Sequence, residues 1–204
     1  GASWTDATPS ELPGLGTFSS VFLEDFDFDG FEDGFFVAKD AKGLHFSKKK
    51  GPTLWEKSLQ ISPDINYSTL DFADVFHDNK LAVVASPPNA EGVDLFTYSA
   101  TGPNTGTWSR TVISTGKESV LWVAAADFVR NGFDEIMGID SEGKLFLLSW
   151  TGSDWNLDRT GLPQTLGLIQ IFDADMDLDG DPDLVALNKN GELYVITNKP
   201  GGTW

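Results

Sequence analysis

The chain has no cysteine in its 204 residues. That excludes a disulfide framework, thiol catalysis and a cysteinyl zinc site. Histidine is nearly absent, with only His45 and His77. His45 lies in the alternating stretch Gly43-Leu44-His45-Phe46-Ser47 and reads as an ordinary strand residue. There is no G-x-S-x-G elbow, no H-E-x-x-H pair and no glycine-rich phosphate loop. Basic residues are few, 14 Lys and Arg against 31 Asp and Glu, for a net charge of −17. Nucleic acid and anionic membranes both need clustered positive charge, so neither is an expected partner. No apolar run approaches the ~18 residues of a membrane-spanning helix. No window shows a clean 3.6-residue period, so no helix is expected. The opening GASWTD carries no charged n-region and no apolar h-region, as in a mature or trimmed chain. The acidic balance fits a secreted acidic protein, a cation binder, or both, and no motif points to catalysis.

What is present is repetition. Trp4, Trp55, Trp108, Trp155 and Trp204 recur at intervals of 51, 53, 47 and 49 residues. Between them the same order returns, marking repeats at about 4–54, 55–107, 108–154 and 155–204 of one domain, 1–204. A short polar strand follows each Trp. A link rich in Pro, Gly and Ser comes next, then an apolar strand (SSVFLEDFD, STLDFADVF, LWVAAADFV, LIQIFDADM). A second apolar strand (GFFVA, LAVVA, EIMGI, DLVAL) and a third behind a glycine turn complete the repeat. Four short strands in about 50 residues predict a β-propeller blade. The fold class is therefore all-β: a closed four-bladed propeller, or a segment of a larger one. The recurring Trp is expected between neighbouring blades. Trp4-Thr5-Asp6-Ala7 matches in register the outer strand due after Trp204 and is a candidate to complete the fourth blade and close a ring.

Two loops carry the chemistry. Asp25-Phe26-Asp27-Phe28-Asp29-Gly30-Phe31-Glu32-Asp33 and Asp175-Met176-Asp177-Leu178-Asp179-Gly180-Asp181-Pro182-Asp183 both read D-x-D-x-D-G-x-x-D. The expected ligands are the carboxylates at positions 1, 3, 5 and 9, which are Asp25, Asp27, Asp29 and Asp33, and Asp175, Asp177, Asp179 and Asp183. The backbone carbonyl at position 7, Phe31 or Asp181, adds a further oxygen. Ca²⁺ takes six to eight oxygens in flexible geometry, whereas Mg²⁺ demands a stricter octahedron. With no thiolate and no His in the loops, zinc and copper are disfavoured. An EF-hand needs Glu at position 12 and flanking helices. Here Phe36 and Ala186 stand at position 12 and the flanks are strands. Two Ca²⁺ ions are thus expected. In repeat three, Asp127, Asn131 and Glu135 survive, but Val129 removes a ligand and Arg130 adds a positive charge. Repeat two, Asp74 to Lys80, reads as having lost the spacing, with Lys80 supplying positive charge internally.

This loop between two strands, recurring about every 50 residues, resembles the FG-GAP/VCBS repeats of integrin α-chain propellers, of bacterial surface proteins and of some fungal lectins. FDADMDLDGDPDLVAL and EDFDFDGFEDGFFVA carry the resemblance most closely. It implies structural Ca²⁺ at the blade edge, an extracellular or cell-surface setting, and a surface that binds a glycan or a protein or assembles into a homo-oligomer or filament. The alternative is part of a carbohydrate-active enzyme, although Glu56, Asp64 and Asp94 cannot be paired from sequence. Phe26, Phe28 and Phe31 point away from the ion, either onto a neighbouring blade or into an exposed patch. Lys48-Lys49-Lys50 is the one basic run and is expected to balance charge on an edge.

Overall fold

A computed structural model describes residues 17–39, 43–102, 105–116, 119–199 and 203–204. Every regular element among them is a strand. The strands form four antiparallel sheets in chain order. The first holds β1 (Phe18–Glu24), β2 (Asp33–Ala38), β3 (Leu44–Ser47) and β4 (Leu59–Gln60). The second holds β5 (Thr69–Ala73), β6 (Ala82–Ser86), β7 (Val93–Gly102) and β8 (Thr105–Ile113). The third holds β9 (Val120–Ala126), β10 (Glu135–Asp140), β11 (Leu145–Trp150) and β12 (Trp155–Asp158). The fourth holds β13 (Leu168–Ala174), β14 (Asp183–Asn188) and β15 (Leu193–Ile196). In each sheet every strand pairs with the next, so the plan is the β-propeller blade that the repeat length implied. The candidate strand at Trp4–Ala7 lies outside the described residues. The strand that follows Trp108 or Trp155 belongs to the preceding sheet, so blades are offset by one strand from Trp-to-Trp repeats.

The described residues up to Asn66 form one compact unit, built on the first sheet; Tyr67–Trp204 form a second, built on the other three. In the first unit the second strand is wholly buried, and Phe26, Phe35 and Phe46 pack ring against ring. In the second unit the sheets stack face to face. Val84, Val93 and Leu95 of the second sheet meet Val123, Ile136, Phe146 and Leu148 of the third. Met137, Ile139, Leu145 and Leu147, on the opposite face of the third sheet, meet Ile171, Leu184, Ala186 and Ile196 of the fourth. Central strands covered on both faces have no wet side, and this is why AVVAS and EIMGID lack polar alternation. Trp155 reaches Phe76 of the preceding blade (6.3 Å between centroids), and Trp204 reaches Phe128 (6.0 Å), the inter-blade packing expected of these residues. Trp108 instead packs on Tyr98 of its own blade (5.3 Å).

Candidate metal centre

Each blade's first two strands meet at a residue pair directly before and at the end of the acidic loop: Glu24↔Asp33, Ala73↔Ala82, Ala126↔Glu135 and Ala174↔Asp183. The alternating Asp-Phe stretch is therefore a loop, not the two faces of a strand. All four loops share one frame. The first Asp accepts two backbone N–H groups, from positions 5 and 6. In loop one Asp29 N and Gly30 N donate to Asp25 at 2.9 and 3.0 Å. The same pair of bonds falls on Asp74, Asp127 and Asp175. The position-5 side chain then accepts from position 7, as when Phe31 N donates to Asp29 at 3.0 Å. The turn forces a left-handed residue at position 4, with φ of +57° at Phe28, +53° at His77, +55° at Arg130 and +62° at Leu178. A second follows at position 6, where Gly30, Gly132 and Gly180 carry no Cβ to clash and Asn79 tolerates the region.

This corrects the reading of repeat two. Its spacing is intact, with Asp74 and Asp78 at positions 1 and 5. It lacks carboxylates at positions 3 and 9, where Phe76 packs on Trp150 (5.2 Å) and Ala82 enters the core. Lys80 does supply an internal cation, bonding Asp78 at 2.7 Å. In repeat three, Glu135 turns back into its own loop, accepting from Val129 N (3.1 Å) and Asn131 Nδ2 (3.0 Å). Burial holds its carboxyl up at about 7.

The two complete loops do gather carboxylates. In loop one, oxygens of Asp25, Asp27 and Asp29 lie within 4.8 Å of one another. Asp33 is fully buried; its Oδ1 accepts from Lys49 N at 2.8 Å, and its Oδ2 has no hydrogen-bond partner. Burial, with the charges of Asp27 and Asp29, pushes Asp33 up to about 7. In loop four the convergent set is Asp175, Asp177 and Asp183, again within 4.8 Å. Asp183 is fully buried and accepts from Met176 N (2.9 Å) and Asn198 N (2.8 Å). Loss of water, with Asp179, Asp183 and Asp175 nearby, holds Asp177 above the ordinary carboxylate value. An orphaned buried carboxylate oxygen and two sets of crowded hard oxygens fit a divalent hard cation.

Two features escaped the sequence reading. Lys48 bonds Asp27 and also reaches Asp29 at 3.3 Å, so the basic run serves loop one itself. The signal was the strand register: Ser47 pairs with Gly34, which brings Lys48 beside the loop exit. Arg130 leaves loop three and enters loop four, contacting Asp181 and donating to the carbonyl oxygen of Asp179 at 2.8 Å. Asp179 and Asp181 thus face a guanidinium, while Asp175, Asp177 and Asp183 face one another. The loop phenylalanines divide. Phe26 is buried on Phe35 and Phe46 of its own blade, and Phe28 is 62% exposed.

No protein-family model matches the chain, and no curated protein does. Among solved structures it is similar to a lectin of Agrocybe aegerita described as specifically recognising non-reducing terminal N-acetylglucosamine. The TM-score is 0.58 at 17% identity, over 90% of this chain and 50% of the lectin chain. The chain thus spans about half the length of that lectin. At this identity the likeness is one of fold.

Proposed function

We propose that this chain is a non-enzymatic, extracellular, Ca²⁺-binding β-propeller module of the FG-GAP/VCBS type that recognises glycans. The observation that carries the calcium reading is the pairing of crowded carboxylates with the buried, unpartnered Oδ2 of Asp33. Asp25, Asp27, Asp29 and Asp33 with the Phe31 carbonyl would hold one ion. Asp175, Asp177, Asp179 and Asp183 with the Asp181 carbonyl would hold the other. The ion supplies charge neutralisation at the blade edge, not reaction chemistry. Extracellular modules bind Ca²⁺ at about 10⁻⁴–10⁻³ M, a level that suits loops already touched by a basic side chain. The shared fold with a GlcNAc-recognising lectin supports the glycan reading over a carbohydrate-active enzyme.

Both halves have direct tests. EGTA should lower the melting temperature, and added Ca²⁺ should restore it; a melting curve indifferent to both sinks the calcium half. A glycan array that includes GlcNAc-terminated chains should return discrete hits. A blank array, with polysaccharide cleavage that survives chelation, would favour the enzyme.

A further inference from the structure

Two basic side chains touch the two complete acidic loops, and they touch different atoms. In loop one, Lys48 bonds Asp27 and reaches Asp29 at 3.3 Å. Both belong to the set whose carboxylate oxygens converge, Asp25, Asp27 and Asp29. In loop four the convergent set is Asp175, Asp177 and Asp183, and Arg130 bonds none of these. Its Nη2 donates to the carbonyl oxygen of Asp179 at 2.8 Å, and its Nε meets the carboxylate of Asp181. The Asp179 carboxylate lies farther off, at 4.0 Å.

These contacts span Gly180, which has φ +89°. A Cβ built there would stand 3.1 Å from Arg130 Nη2, so the guanidinium lies on the turn itself. The equivalent turn of loop one is open among the described residues, where a Cβ at Gly30 would meet nothing within 4 Å. Arg130 thus grips position 5 by its carbonyl and position 7 by its carboxylate. The oxygens assigned above to the ion are the opposite ones, the Asp179 carboxylate and the Asp181 carbonyl.

The arm has a fixed base. Arg130 sits at position 4 of loop three with φ +55°. On one side Val129 N donates to Glu135 at 3.1 Å, and on the other Asn131 N donates to Asp127 at 2.9 Å. Its partner is equally committed. Asp181 is 2% exposed, and a buried carboxylate is costly unless a cation or a donor meets it. Phe31 holds position 7 in loop one, so a carboxylate there is no part of the shared ligand pattern. The Asp181 side chain is accounted for as the anchor of Arg130.

We infer, on the calcium reading of loop four, that Arg130 is a positioning residue for that loop's cation site. Reaching across from the third blade, it holds positions 5 and 7 in the shape that the ion needs. It therefore strengthens binding although it carries the same sign of charge as the ion. Coulomb repulsion alone gives the opposite result, because a guanidinium beside the site disfavours a cation. Outer residues that orient metal ligands are typically worth about 10–100-fold in affinity. The lower end applies here, since repulsion cancels part of the gain.

Calorimetric titration with Ca²⁺ tests this in an Asp27→Asn parent, which silences loop one. Arg130→Ala should weaken the remaining site about tenfold. Arg130→Lys keeps the charge but lacks the planar fork that holds carbonyl and carboxylate together, so its Kd should fall between the two. Circular dichroism in EGTA establishes that each variant is folded before titration, so a general loss of stability does not mimic the result. An Arg130→Ala Kd equal to or tighter than the parent's overturns the inference. Should Arg130→Ala fail to fold, Arg130→Lys decides: weaker binding than the parent supports positioning, and unchanged or tighter binding overturns it. A parent that binds no Ca²⁺ overturns the calcium reading of loop four and the role of Arg130 with it, which tells the two failures apart.

Discussion

Lys48 sits where loop one would take its ion, and its removal should tighten calcium binding. Its ammonium bonds Asp27 and lies 3.3 Å from Asp29. Partial burial works against the charge, but those two hydrogen bonds more than offset it and hold Lys48 above the ordinary lysine value. Two unit charges about 4 Å apart attract by about 4 kcal/mol at an effective dielectric near 20. Dehydration and side-chain ordering cancel most of that, leaving about 1 kcal/mol for each partly exposed contact. Displacing Lys48 from two carboxylates therefore costs about 2 kcal/mol, a roughly thirtyfold weakening of Ca²⁺. The perturbation is Lys48→Met in an Asp177→Asn background, which silences loop four. Calorimetric titration should give a Kd about thirtyfold tighter than with Lys48 present. In EGTA the same variant should melt lower, because four carboxylates have lost their tethered cation. An unchanged or weaker Kd would show that Lys48 supports the site rather than competing for it.

Loop four allows ligand and scaffold roles to be separated. Asp183→Ala strips acceptors from Met176 N and Asn198 N and should lose about 2–3 kcal/mol of urea-measured stability even in EGTA, whereas Asp177→Asn should cost almost nothing until Ca²⁺ is added. Glu135 is held up at about 7 by burial, so its contribution is fully present below about 4.5 and is lost as pH rises through 7. Glu135→Gln should remove that dependence, so wild type should lose about 2–3 kcal/mol relative to the variant between pH 5 and pH 8; parallel curves would refute the assignment. Gly143 has φ +80°, and a Cβ there would stand 2.7 Å from the Gly167 backbone. Gly143→Ala should destabilise by about 3 kcal/mol, read as a fall of about 10 °C in Tm.

The blade plan was legible because it is written in local order: strand, loop, strand, glycine turn, strand, Trp. The acidic loops were legible for the same reason, as position 1 bonds positions 5 and 6 of its own loop. What stayed hidden depends on neighbours. Repeat two read as having lost the spacing, yet its frame is intact and Phe76 at position 3 packs against Trp150 and Trp155, which lie some 75 residues further along the chain. Arg130 read as a charge that spoils its own loop, while its guanidinium belongs to the next one. Phe26 and Phe28 look alike in sequence, but Phe28 takes the left-handed region and Phe26 does not. The first side chain is thereby turned into the core and the second outward.

The intact frame of loops two and three bears on what calcium contributes. Both hold the same bonds on Asp74 and Asp127 without a full set of carboxylates, so a cation is not needed to form the turn. What differs is charge. Loop two sets Lys80 against Asp78, and loop three ties Glu135 to its own Asn131 and Val129. Loop one carries Asp25, Asp27, Asp29, Glu32 and Asp33 against Lys48, leaving four net negative charges. Loop four gathers five aspartates, Asp175, Asp177, Asp179, Asp181 and Asp183, against Arg130, leaving four. A tethered side chain cannot cancel that excess, and a divalent ion removes two charges at once. On this reasoning calcium acts after the hairpin has formed, by relieving repulsion. Chelation should therefore loosen loops one and four in hydrogen exchange while loops two and three keep their protection. Equal loosening of all four would mean that the ion holds the blades themselves together.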